Sequence, residues 1–202
     1  MANLTIKMLQ EQINELRNEV AILKENSKVN KIPSGLKVGD MFELAGLTWT
    51  ILDVTEDGYK CISERFEDGM VFDDNSNDWR TSSLRKYLNK DFFNRLASEI
   101  GEDNIIPFER DLLSLDGQTE YGNCEDKISL LAVDEYRKYR KLLPNTDKWW
   151  WLITPWSTHC NGYKKTIAVV SPSGYVNGIV CNSDDGVRPF CIFSSSIFGS
   201  ED

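Results

Sequence analysis

The sequence holds a single histidine, His159, and no CxxC pair among its five cysteines, Cys61, Cys124, Cys160, Cys181 and Cys191. A lone imidazole without clustered thiols excludes an ordinary zinc site. An odd, scattered set of cysteines in 202 residues departs from a secreted disulfide scaffold, so reduced and mostly buried thiols are expected. No run of about eighteen apolar residues exists, so membrane insertion is not expected. Met1-Ala2-Asn3-Leu4 opens without a basic segment and an unbroken apolar stretch, so neither is a secretory signal peptide. GxGxxG, P-loop, GxSxG and HExxH motifs are missing. No catalytic residue, metal ligand or cofactor is assigned, and an enzyme is not expected.

The clearest positive pattern lies in the first thirty residues. Ile6, Leu9, Ile13, Leu16, Val20 and Leu23 recur at alternating spacings of three and four, which sets them on one seam of a helix. β-Branched residues at a and leucine at d favour a parallel two-stranded coiled coil, with a trimer as the competing state. Across such a dimer Gln12 lies opposite Arg17 and Glu19 opposite Lys24, with no like-charge clash. Met8 and Ile22 lie off the seam and leave open a helix packed on its own domain. The reading adopted is residues 1–30 for homo-oligomerisation, 31–37 for a linker around Ile32-Pro33-Ser34-Gly35, and 38–202 for one α+β domain.

Within that domain, Met41–Ala45 and Leu47–Val54 read as strands hinged at Gly46, and Tyr59–Glu64 follows a turn at Asp57-Gly58. Thr81 or Ser82 caps a helix carrying Leu84, Tyr87 and Leu88. Asn89-Lys90-Asp91 breaks it, and Asp91 caps a second helix using Phe92, Leu96 and Ile100. Glu109 to Asp126 reads as irregular. Lys127–Leu131 reads as a strand and Val133–Lys141 as a helix. Trp149–Ile153, Thr166–Val170, Tyr175–Cys181 and Val187–Phe193 are candidate strands, the middle two joined by Ser171-Pro172-Ser173-Gly174.

The net charge of −9 is unevenly placed. Nine acids lie between Asp53 and Asp78 and nine more between Glu99 and Asp126, whereas residues 79–98 are basic. Such acidity opposes direct nucleic-acid binding and suits a basic partner. His159-Cys160 resembles a thiol with its base, but neighbours in an extended chain point to opposite sides. Asn182 to Gly186 and Asp73-Asp74-Asn75 offer oxygen ligands without the alternation of a calcium-binding loop, and both read equally as solvated turns. In Trp149-Trp150-Trp151 one strand face reads as core and the other as a second packing layer or an exposed recognition surface, with packing preferred. Trp156, after Pro155, suits a recognition loop.

Several segments taken in order carry a resemblance. They are Val38-Gly39-Asp40, Trp49 to Val54, Asp78-Trp79-Arg80-Thr81-Ser82-Ser83-Leu84-Arg85-Lys86-Tyr87-Leu88-Asn89, Asp126 to Leu131, Trp150 to Pro155, and Gly186-Val187-Arg188-Pro189-Phe190. The chain resembles an uncharacterised domain family of Firmicutes and their phages and prophages. That family is related to the C-type-lectin-like fold of formylglycine-generating enzymes and of retroelement variable proteins. It departs at Ile153, where the family carries arginine, and Cys160 and Cys181 do not match the catalytic thiol pair of those enzymes. The resemblance implies a twisted antiparallel sheet, two or three helices, and loops displaying a ligand surface. It also implies a buried Arg188 paired with a carboxylate.

By analogy with lectin-like variable proteins, the expected protein- or glycan-binding face comprises Trp156, Ser157, His159, Asn161, Tyr163, Asn177, Asn182 and Asp184. The expectation is an oligomeric phage-type binding module, cytoplasmic in a bacterial host or virion-associated. The alternative is an acidic cytosolic inhibitor of a host defence nuclease, mimicking nucleic acid as anti-CRISPR proteins do.

Overall fold

The computed structural model describes residues 12–17, 32–66 and 69–199. The chain divides into two units, residues 1–31 and 32–202. In the first, residues 12–17 are helical and Ile13 and Leu16 are exposed. The other seam residues, Ile6, Leu9, Val20 and Leu23, lie outside the described residues.

The second unit is mixed α+β and mainly antiparallel. Its strands are β1 (Met41–Leu44), β2 (Leu47–Thr55), β3 (Gly58–Ser63), β4 (Met70–Val71), β5 (Ile105–Ile106), β6 (Phe108–Asp111) and β7 (Asn123–Asp126). They continue with β8 (Ile128–Ser129), β9 (Trp150–Pro155), β10 (Thr166–Val170), β11 (Val176–Val180), β12 (Asp184–Asp185) and β13 (Phe190–Phe193). The main sheet runs β1-β2-β3-β13-β5, with β8 also on β13. A second sheet runs β11-β10-β9, and β12-β4 and β6-β7 form two-stranded pairs.

The β1–β2 turn shows why local sequence suffices there. Ala45 and Gly46 have φ of 54° and 67°. Two left-handed residues make the tight turn whose twist matches the flanking strands. All four residues of β13, Phe-Cys-Ile-Phe, are buried. One edge of β13 pairs with β3, and the other is filled in tandem by β8 and β5. Strand β9 is buried along its whole length. Trp150 joins the core cluster with Leu52, Leu131 and Tyr136, while Trp151 meets Phe72 and donates from Nε1 to the Met70 carbonyl at 2.7 Å.

Four expectations are corrected. The stretch 31–37, read as a linker, contains a buried residue, Ile32. Ile32 donates to Ile197 O, accepts from Gly199 N and is covered because its aliphatic side chain is better out of water.

Secondly, the helix does not break at Asn89-Lys90-Asp91. Ser82 caps α1 (Ser83–Tyr87), which runs through a π-turn at Leu88–Phe92 into α2 (Phe93–Ile100). Leu84, Leu88, Phe92, Leu96 and Ile100 recur every four residues and are all buried. A four-residue repeat drifts around a helix of 3.6 residues per turn, and the wider π-turn takes up that drift. Asn89 docks onto β8, accepting from Lys127 N and Ile128 N and donating to Ile128 O at 2.7 Å.

Thirdly, Glu109 to Asp126 contains the β6–β7 pair. Its inward residue is Arg110, a charge where alternation calls for an apolar side chain. It is neutralised by Glu135 from α3 (Val133–Tyr139) and flanked by Phe108 and Phe190.

Fourthly, Arg188 is buried but holds no carboxylate among the described residues. Its Nε donates to Ser63 O at 2.9 Å, and its guanidinium lies 5.0 Å from the Trp150 ring centroid. Burial lowers its pKa to about 10. Glu64, the acid beside it, instead accepts from Thr48 N.

The Asp78–Asn89 segment is fastened by one carboxylate. Asp126, 2% exposed, accepts from Trp79 Nε1 and from Arg85 Nε, each at 2.6 Å. Asp126→Ala strands a guanidinium and an indole N–H, and should destabilise the domain by about 3 kcal/mol. A shift of the urea unfolding midpoint at unchanged slope would measure it.

Candidate functional site

Most of the expected binding loop converges with a second loop that the sequence reading left unassigned. After β9 the chain turns at Trp156, whose N–H donates to Thr166 O. The Trp156 ring lies over Gly178 of β11, where a Cβ would stand 2.6 Å from it. Trp156 is therefore half-buried packing. Ser157 and Thr158 are buried, and a 3-10 turn at His159–Asn161 ends on Gly162 with φ of 82°. His159, Cys160, Asn161 and Tyr163 are exposed.

Beneath this loop sits Asn77, which has no solvent exposure. Its Nδ2 donates to Ser157 O, Tyr163 O and Thr166 O at 2.8, 2.9 and 2.7 Å. Its Oδ1 accepts from Tyr121 OH at 2.8 Å, and that oxygen in turn accepts from His159 N. Burial raises the Tyr121 pKa, keeping the donor proton in place.

The second loop, residues 112–121, supplies acceptors from the side. Asp116 takes Ser114 Oγ at 2.5 Å, Ser157 Oγ at 2.7 Å and Asn161 Nδ2 at 3.2 Å. Glu120 accepts from Cys160 N at 2.8 Å and stands 3.8 Å from His159 Nδ1. Leu115 N donates to Pro155 O. Alongside lies a recess of about 410 Å³, edged by the exposed Leu113 and Leu115 and reaching Thr154 and the Arg110–Glu135 pair.

His159 and Cys160 are not on extended chain: the 3-10 turn brings both against Glu120. The hydrogen bond to that carboxylate, and then burial, push the Cys160 thiol above its ordinary pKa. A thiol kept protonated is a poor nucleophile.

The remaining expected residues lie elsewhere. Asn177 is exposed on β11, an outer strand of its sheet, and its Oδ1 accepts from Gly178 N. Asn182 follows β11, and Asp184 borders a separate recess with Arg65, Asp147, Trp149 and Asp185. The carboxylate of Asp73 accepts from Asn75 N, Ser76 N and Ser83 N, so a turn and a helix start use its oxygens. No cluster of three or more His, Cys, Asp or Glu able to hold a metal occurs among the described residues. None of the helices searched there is long and apolar enough to cross a membrane.

Asn77, Asp116, Glu120 and Tyr121 were not anticipated. The available signal was a long acidic stretch with Arg110 as its one base, whose carboxylates needed donors from another segment.

An α+β domain with a pinned, polar, exposed loop pair is the class these features define. The chain belongs to the family described as a domain of unknown function (DUF6273), whose model matches residues 61–195. No curated protein and no solved structure matches it. The match begins in β3, so the β1–β2 hairpin that pairs with that strand precedes it.

Two outcomes test the site. Asn77→Ala leaves three carbonyls and a phenol without their partner. Amide exchange across residues 157–163 should accelerate at least tenfold, read by hydrogen–deuterium exchange. The pKa of Asp116 is lowered first by Ser114 and then by Ser157, and that of Glu120 first by the Cys160 amide. Depressed carboxylates stabilise the folded loop above their ordinary pKa of about 4, and this is lost as pH falls through the lowered values. The Cys160 amide resonance should hold its position from pH 7 to 5 and move below pH 4.

Proposed function

We propose that the chain is an oligomeric binding module. Copies gathered through residues 1–30 present the surface of residues 112–121 and 156–163 to a protein or glycan ligand. One observation carries this reading: a buried amide and two carboxylates fix the loop from within, while His159, Asn161 and Tyr163 stay exposed. A preordered surface loses little entropy on binding, and tyrosine and asparagine supply area and adaptable hydrogen bonds. Mainly antiparallel sheets with long connecting loops support a C-type-lectin-like plan. The phage or prophage setting rests on the resemblance of the ordered sequence segments.

An acidic mimic directed at a host nuclease is less well supported, because many of the acids bond internally. Asp126 holds Trp79 and Arg85, Glu99 accepts from Ala45 N, Asp111 from Leu113 N, and Asp53 pairs with Lys138. A mimic needs carboxylates that face outward.

Residues 31–202 alone should remain folded, sediment as monomers and hold a multivalent ligand surface about a hundredfold more weakly than the full chain. The triple variant His159→Ala, Asn161→Ala, Tyr163→Ala should keep its melting temperature and lose the host-cell species that the wild type retains in parallel pull-downs. Equal recovery by the variant, or an unchanged oligomeric state after truncation, would count against the proposal.

A further inference from the structure

One part of the surface runs against the acidity of the chain. Residues 79–98 are basic in a sequence of net charge −9. The structure folds part of this stretch into a recess of about 530 Å³ between the π-turn and the β7–β8 connection. Arg85, Lys86, Lys90 and Lys127 line it, against the carboxylates of Glu125 and Asp126.

These cations are not alike. Arg85 is engaged on all sides, with Nε on Asp126, Nη1 on Arg80 O and Nη2 on Glu125 O. Asp126 is shared between Arg85 and Trp79. Lys127 donates once, to Glu102 O, and its Nζ lies 4.9 Å from the Phe93 ring centroid, which leaves two ammonium hydrogens. Lys86 and Lys90 are exposed and make no hydrogen bond or ion pair with any described residue. They stand four residues apart on one continuous helix, where like charges repel and destabilise it. No contact of the fold requires this pair.

We propose that the recess binds a compact, multiply charged phosphate anion. Ammonium groups act as point charges with rotatable donors, which suits the tetrahedrally arranged oxygens of phosphate. Planar recognition of a carboxylate favours a free guanidinium fork, and the fork of Arg85 is already occupied. Three lysines lining one recess favour adjacent phosphates over a single one. Lys127 covers a face of Phe93, so the ligand is read by its charge rather than by stacking of a ring.

Calorimetry with inorganic tripolyphosphate and the full chain tests this. The expected result is one site per chain, weakened at least tenfold in Lys86→Gln/Lys90→Gln and unchanged in Lys141→Gln, which lies outside the recess. Both are exposed-lysine changes, and matching thermal melts would confirm that the variants fold. Citrate should bind at least tenfold more weakly than tripolyphosphate. Absence of saturable binding, or wild-type affinity in the double variant, overturns the proposal. So does citrate binding as tightly, which would mark a general anion site. Tighter binding of a short oligonucleotide, lost in the same double variant, would make the recess a nucleic-acid surface instead.

Discussion

The displayed surface depends on one primary amide with no access to water. Asn77 offers two N–H groups and an acceptor oxygen, and all are used. The hydrogens are divided among the carbonyls of Ser157, Tyr163 and Thr166, and the oxygen receives the Tyr121 hydroxyl. Leaving any of these groups buried and unpaired costs on the order of 1–3 kcal/mol, so the arrangement holds together as a whole. Its backbone N–H also donates to Lys164 O. A loop with little regular secondary structure is thereby held to the start of β10 and to the 112–121 loop. Exposed residues such as Tyr163 and His159 owe their fixed positions to an amide on the far side of the chain.

A second buried polar centre does for the helix what Asn77 does for the loop. Asp126 gathers Trp79 and Arg85, and Asn89 then reads the backbone of Lys127 and Ile128. The ordered segments that resemble a known domain therefore include the two halves of one contact, Asp78–Asn89 and Asp126–Leu131. Trp79, Ser82, Leu84, Leu88, Asp126 and Ile128 of these segments are buried, so much of what they share is framework. The outward residues of 156–163 fall outside those segments. Members can share this framework and still differ in what they bind, as in folds that carry function on grafted surfaces.

Local rules made the hairpins legible. Gly46, Gly58 and the Ser171–Gly174 turn lie where the chain reverses, alternating apolar residues open β2, and a continuous apolar run marks β10. What escaped was structure fixed by polar groups from distant segments. Asn89-Lys90-Asp91 looks like a helix stop because its residues favour caps. The four-residue apolar repeat and the docking of Asn89 on β8 outweigh that preference. Arg110 hides a strand because the Glu135 that neutralises it lies on another element. Arg188 was expected to find a carboxylate, but a carbonyl and an indole face hold it instead. Of the expected site, the Trp156–Tyr163 stretch forms one locality, while Asp184 borders another recess. Spacing along the chain carries no information about which recess a loop will face.

The acidity itself follows from the architecture. Long loops leave backbone N–H groups without ladder partners, and a carboxylate near its own chain can accept two or three of them. Asp73 accepts three at the start of α1, while Asp111 takes the N–H of Leu113 and Glu120 that of Cys160. Such acids are fixed by local geometry, and the net charge of the chain partly records how many loops need acceptors. Several arginines follow the same logic, with Arg85, Arg95, Arg110 and Arg140 each bonded to backbone carbonyls. Lys86 and Lys90 make no hydrogen bond or ion pair with any described residue. In a chain whose arginines and acids so often serve as internal hydrogen-bond partners, two unbonded lysines that line one recess are where an external partner has most to gain.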